Sequence, residues 1–164
     1  MGSVFSGFIL LLLLNISQAH NLIEDVCSKS ENPPLCNRIL SSDPQCSEVR
    51  IPKLCEIIVK KAIFSTQIAL QITKSLSIGV NKQKCDVCGK SYSNAINNLN
   101  DCQRLLNTND RGSISTLRSR LSTVKTDVTT CDNQFGGSQP PMLKAANHRC
   151  QVVASVLCVI ANRM

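Results

Sequence analysis

Ten cysteines stand in a chain of 164 residues, at positions 27, 36, 46, 55, 85, 88, 102, 131, 150 and 158. Thiols at that density are normally held as disulfides in an oxidising compartment. Spacing alone leaves the connectivity open. Cys27 and Cys36 flank a Pro-Pro turn and could staple it. Cys88 and Cys131 lie on the inward stripes of two different helices, where a bridge would tie them together. Cys150 and Cys158 cannot bridge each other, because eight residues of one helix separate them by about 12 Å. Cys46 and Cys55 flank a loop before the first long helix and are the expected extra pair. Cys85, Cys102 and Cys158 sit on apolar faces and read either as small buried hydrophobes or as further bridging thiols.

Other chemistry finds little support. Cys85-Asp86-Val87-Cys88 has redox spacing, but such a motif belongs at a helix start within a βαβ pattern that this chain lacks. A zinc site would need a second paired set of ligands, and His20 and His148 are the only histidines. No Gly-x-Ser-x-Gly elbow accompanies a serine, and the 11 acidic residues do not cluster across a cleft. No catalytic residue, metal or cofactor is therefore expected, and the chain reads as a binding protein rather than an enzyme.

The elements that carry these residues are helical. Leu54, Ile57, Phe64, Ile68, Ile72 and Leu76 recur at helical spacing in Ile51 to Ser77, a segment without internal Gly. Cys85, Cys88, Tyr92, Ile96, Leu99, Cys102 and Leu106 form a second stripe. Ile114, Leu117, Leu121, Val124, Val128 and Cys131 form a third, alternating three and four as bundle seams do. The fourth segment, Met142 to Met164, is apolar nearly all round and should be the most buried. Gly79-Val80-Asn81, the segment Asn107 to Gly112, and the segment Asn133 to Pro141 break the pattern. Short connections predict antiparallel neighbours, hence an all-α, antiparallel four-helix bundle over about 47–164. Residues 20–46 predict an N-terminal helical hairpin broken at Asn32-Pro33-Pro34.

Ahead of it, Phe8 to Leu14 is a short apolar run followed by Ser17-Gln18-Ala19, the pattern of a cleaved signal peptide at 1–19. The mature product would start at His20, reach the extracellular space and keep the formal +7 charge. Its Lys and Arg are scattered and aromatics are few, so no nucleic-acid platform is expected. No later stretch is long and apolar enough for a membrane span. Weak attraction to anionic pectin would suit the charge.

Cys27-(x8)-Cys36 enclosing Asn32-Pro33-Pro34-Leu35, then Leu40-x-x-Asp43-Pro44, resembles the opening of the plant invertase and pectin methylesterase inhibitors. Cys88 to Ile96, Thr130 to Phe135, and Cys150 with its apolar tail are similar to later landmarks of that family. The resemblance implies bridges Cys27–Cys36 and Cys88–Cys131, a free Cys150, and residence in the plant cell wall. It implies a carbohydrate-active enzyme as partner. Acid invertase inhibitors of the family carry a Pro-Lys-Phe plug before the third bundle helix, and here that place reads Thr108 to Ile114. The resemblance is therefore closer to pectin methylesterase inhibitors, which lie side-on across the pectin-binding cleft. It implies partner contacts at Lys90, Asn94, Asn97, Thr130 and Asn133; Thr130 matches the family, and the other four replace carboxylates.

Overall fold

The structure, a computed structural model, describes residues 22–46, 50–108 and 111–164. The expected leader 1–19 and the start at His20 lie outside them. Helices are α1 (22–28), α2 (Pro33–Ser41), α3 (Ile51–Leu76), α4 (Lys82–Leu105), α5 (Arg111–Phe135) and α6 (Pro141–Ala161), with single 3₁₀ turns at Pro44–Cys46 and Gly79–Asn81.

Local chemistry sets the boundaries. Asn32 caps α2, its Oδ1 accepting from the Leu35 N–H at 3.0 Å, and Pro33 supplies the fixed φ and missing donor that suit a first turn. Pro52 and Pro141 play the same part in α3 and α6. The turn into α6 passes through Gly136 at φ +53° and Gly137 at φ +87°, conformations that side chains resist.

Four long helices close a square in which α3 packs on α4 and α6, and α5 packs on α4 and α6. Every adjacent pair is antiparallel. Gly89 faces Leu70 while Ser77 Oγ reaches Asp86 at 2.7 Å, and Arg118 binds the Ala161 carbonyl while Gln151 binds Asp132. Leu54, Ile58, Leu99, Leu117, Leu121, Leu143, Leu157 and Ile160 fill the interior around Tyr92. The Tyr92 hydroxyl donates to Asn147 Oδ1 at 2.7 Å, which lets both polar groups be buried.

The hairpin of α1 and α2 is closed by a Cys27–Cys36 disulfide, and α4 is tied to α5 by Cys88–Cys131. Cys36, Ile39 and Leu40 converge on Ile58, Val153 and Val156, laying the hairpin over the α3/α6 groove. Polar ties hold its rim. Glu31 N–H donates to Ser155 Oγ and its carboxylate pairs with Lys125 at 2.8 Å, Asp25 pairs with Arg163, and Asp43 pairs with Lys61 at 2.8 Å.

Two sequence expectations are corrected. Cys46 and Cys55 do not pair; both are buried free thiols. Cys46 ends the 3₁₀ turn beside Asp43 and Lys61, whereas Cys55 already points into the bundle toward Cys102, so the two occupy separate parts of the core. Two residues in the middle of the α3 stripe also face outward, while Ile72 and Leu76 at its end pack partly buried against the core. Phe64 is 62% and Ile68 41% exposed, while Ser65, Thr66, Ala69 and Thr73 are buried. Thr66 and Thr73 can enter the core because their hydroxyls bond the carbonyls of Ala62 and Ala69 at 2.8 Å.

Candidate partner interface

Lys90, Asn94 and Asn97 follow one another at spacings of four and three, so helical geometry puts them on one ridge, the solvent-facing ridge of α4. Thr130 and Asn133 lie at the C-terminal end of α5, Thr130 half-buried and Asn133 exposed. The Cys88–Cys131 bridge stands behind both ridges and pins the two helices at this level. Thr130 thus touches solvent one residue away from a buried crosslink.

The outer surface of α5 is rich in hydroxyls whose hydrogens are already used. Thr116, Thr123, Thr126, Thr129 and Thr130 each donate to the carbonyl four residues earlier, at 2.8 to 3.2 Å. Such back-bonded threonines leave mainly acceptor lone pairs facing outward.

Between the ridges runs a polar seam that sequence periodicity does not flag. Asn98, 9% exposed, is its centre. Its Oδ1 accepts from Arg120 Nη1 at 3.0 Å, and its Nδ2 donates to the Asn94 carbonyl at 3.1 Å and to Asp127 Oδ2 at 3.5 Å. Arg120 continues to Asp101 at 3.5 Å, and Asp101 pairs with Arg104. Asp127 is half-buried, and burial pushes its carboxyl above the usual range against the weaker pull of Asn98. The sequence signal that could have found this seam is Asn98, a polar residue next to inward-facing Leu99 and one turn from Ala95.

On the other flank of α4 a groove of about 540 Å³ is lined by Leu70, Lys74, Asp86, Gly89, Lys90 and Asn94. Asp86 there is held below the carboxylate range by Lys82 and Ser77. At the opposite end of the bundle, a cavity of about 320 Å³ lies under the α4–α5 turn between Leu106, Ile114 and Met164. In that turn Thr108 Oγ1 sits 2.7 Å from Ser113 Oγ and donates to the Leu105 carbonyl; Asn109 and Asp110 lie outside the described residues.

The residues weighed for chemistry stay apart. His148 Nε2 lies 3.1 Å from Asn32 Nδ2 and fastens the hairpin to α6. Cys88 is bridged to Cys131, so Cys85 has no CxxC partner, and burial raises its thiol. Cys102 and Cys150 are buried and pushed up to about 12 by burial, and Cys158 is half-buried. Among the described residues no three His, Cys, Asp or Glu side chains group to hold a metal ion, and no helix is long and apolar enough to cross a membrane.

Comparison with known proteins fits this architecture. The sequence profile described as plant invertase/pectin methylesterase inhibitor matches residues 21–161. A pectinesterase inhibitor from Actinidia deliciosa is 25% identical over 170 residues, covering 96% of this chain and 89% of the relative. Mutant form A of a pectin methylesterase inhibitor from Arabidopsis superposes with a TM-score of 0.75 at 17% identity, over 85% of this chain and 94% of that one. A pectin methylesterase inhibitor from Arabidopsis thaliana superposes at 0.63, also with 17% identity, over 87% and 95%. The two structures establish likeness of fold.

Proposed function

The chain belongs to the plant invertase/pectin methylesterase inhibitor family, and from that premise we propose that it inhibits pectin methylesterase, forming a 1:1 complex in which the α4 and α5 ridges lie across the pectin-binding cleft. The observation that carries this reading is the contrast between its two candidate surfaces. The α4/α5 face is long, polar and held rigid by Cys88–Cys131. The sequence Thr108 to Ile114, which joins α4 to α5, lacks the Pro-Lys-Phe of the invertase inhibitors, and Thr108 Oγ1 lies 2.7 Å from Ser113 Oγ.

On this reading Lys90, Asn94, Asn97, Thr130 and Asn133 supply contacts, and the chain works outside the cell after loss of residues 1–19. Mixing the purified protein with a plant pectin methylesterase and following methanol release tests the proposal. Stoichiometric loss of esterase activity is expected. Full esterase activity alongside inhibited acid invertase would overturn it.

A further inference from the structure

We propose that Asp127 is the anchor of the α4/α5 face, the side chain that receives a lysine or arginine of the bound enzyme. The inference rests on the inhibitor reading above and adds to it the residue and the chemistry of one contact.

Asp25, Glu31, Asp43, Glu56, Asp86 and Asp101 each have a cation within 4 Å. Asp127 has none, and its hydrogen-bond partner is the Asn98 amide at 3.5 Å. That amide cannot come closer without cost, since Arg120 and the Asn94 carbonyl hold its two ends at 3.0 and 3.1 Å. The neighbouring hydroxyls give no help. Thr123, Thr126 and Thr130 have spent their protons on the carbonyls of Ser119, Ser122 and Thr126. Asp132 also lacks a cation, but it is exposed to water and takes a 3.0 Å bond from Gln151 of α6.

Asp127 is thus a partly desolvated anion, surrounded by outward-facing acceptors, for which the chain supplies one long amide bond. A half-buried charge in that state is costly until a partner of opposite sign arrives. Charge complementarity selects a cationic side chain, and a polyanion such as de-esterified pectin would be repelled from the spot.

Wild type, Asp127→Asn and the control Asp132→Asn should be titrated against one plant pectin methylesterase at several salt concentrations, with methanol release as the readout. Asparagine preserves the shape and an acceptor for Asn98. Asp127→Asn should weaken inhibition about fivefold and flatten its salt dependence, while Asp132→Asn behaves as wild type. A purely structural aspartate would instead lower the unfolding midpoint and leave the salt slope of inhibition alone. Asp127→Asn that inhibits with wild-type affinity and salt slope, beside a wild type that inhibits normally, overturns this inference only. A wild type that never inhibits overturns the inhibitor reading as well.

Discussion

Tyr92, the one tyrosine of the chain, is fully buried with its hydroxyl on Asn147. Burial raises the phenol well above its ordinary range, with smaller pushes in the same direction from Cys150, Asp132 and Cys85. A group whose folded pKa is raised contributes stability that is fully present below its unfolded pKa of about 10 and is lost as pH climbs past it. Burial raises Cys55 to about 12, with the same sign and an earlier onset. Anaerobic urea unfolding from pH 7 to 11 should therefore show stability declining on the alkaline side. Tyr92→Phe should lessen the decline above about pH 10. It should also cost about 1–3 kcal/mol at neutral pH, because Asn147 Oδ1 then loses its donor.

At the scale of elements, the two crosslinks differ in the length of chain they close. Cys88–Cys131 spans 43 residues and Cys27–Cys36 spans 9. Loop-closure entropy makes the longer one worth about 1 kcal/mol more, so Cys88→Ala should lower the urea midpoint further than Cys27→Ala. On α3, Phe64→Lys and Ile68→Lys should each change stability by less than about 0.5 kcal/mol, whereas Ala69→Leu, which overfills a fully buried position, should cost about 1–3 kcal/mol. Equal losses at all three sites would restore the apolar stripe read from sequence. The stripe fails at Phe64 and Ile68 because hydrophobicity alone does not decide which side of a helix turns inward. Thr66 and Thr73 satisfy their own hydroxyls and the small Ser65 and Ala69 admit α6 closely, so the bulkier pair is displaced outward. By contrast α4, α5 and α6 were legible, since their apolar residues and breakers agree with one another. Of the Asn98–Asp127–Arg120 seam only Asn98, polar beside inward-facing Leu99, is legible; its partners depend on which faces of two helices meet, and neither period contains that information.

For the whole molecule, a side-on complex should be 1:1 and bury roughly 1,600 Å² in total. Its polar, charged contacts should weaken as salt rises through the range where the Debye length is about 8 Å. Thr130→Trp should abolish inhibition with helical content unchanged, because Thr130 is half-exposed and its hydroxyl bonds only its own helix. Substitutions at Ser113 or Ile114 should matter much less, and the reverse pattern in methanol-release assays would replace the side-on arrangement with one led by the α4–α5 turn.

Six thiols remain unbridged, five of them buried. In an oxidising medium this makes foldedness a chemical property as well as a shape. An intact copy is nearly mute toward thiol reagents, offering only the half-buried Cys158, whereas a copy that opens even briefly displays several nucleophiles able to capture a neighbour. The unopened population is thereby marked off from the opened one by covalent fate, and the rate at which a maleimide label accumulates beyond the first equivalent should report how often the bundle comes apart.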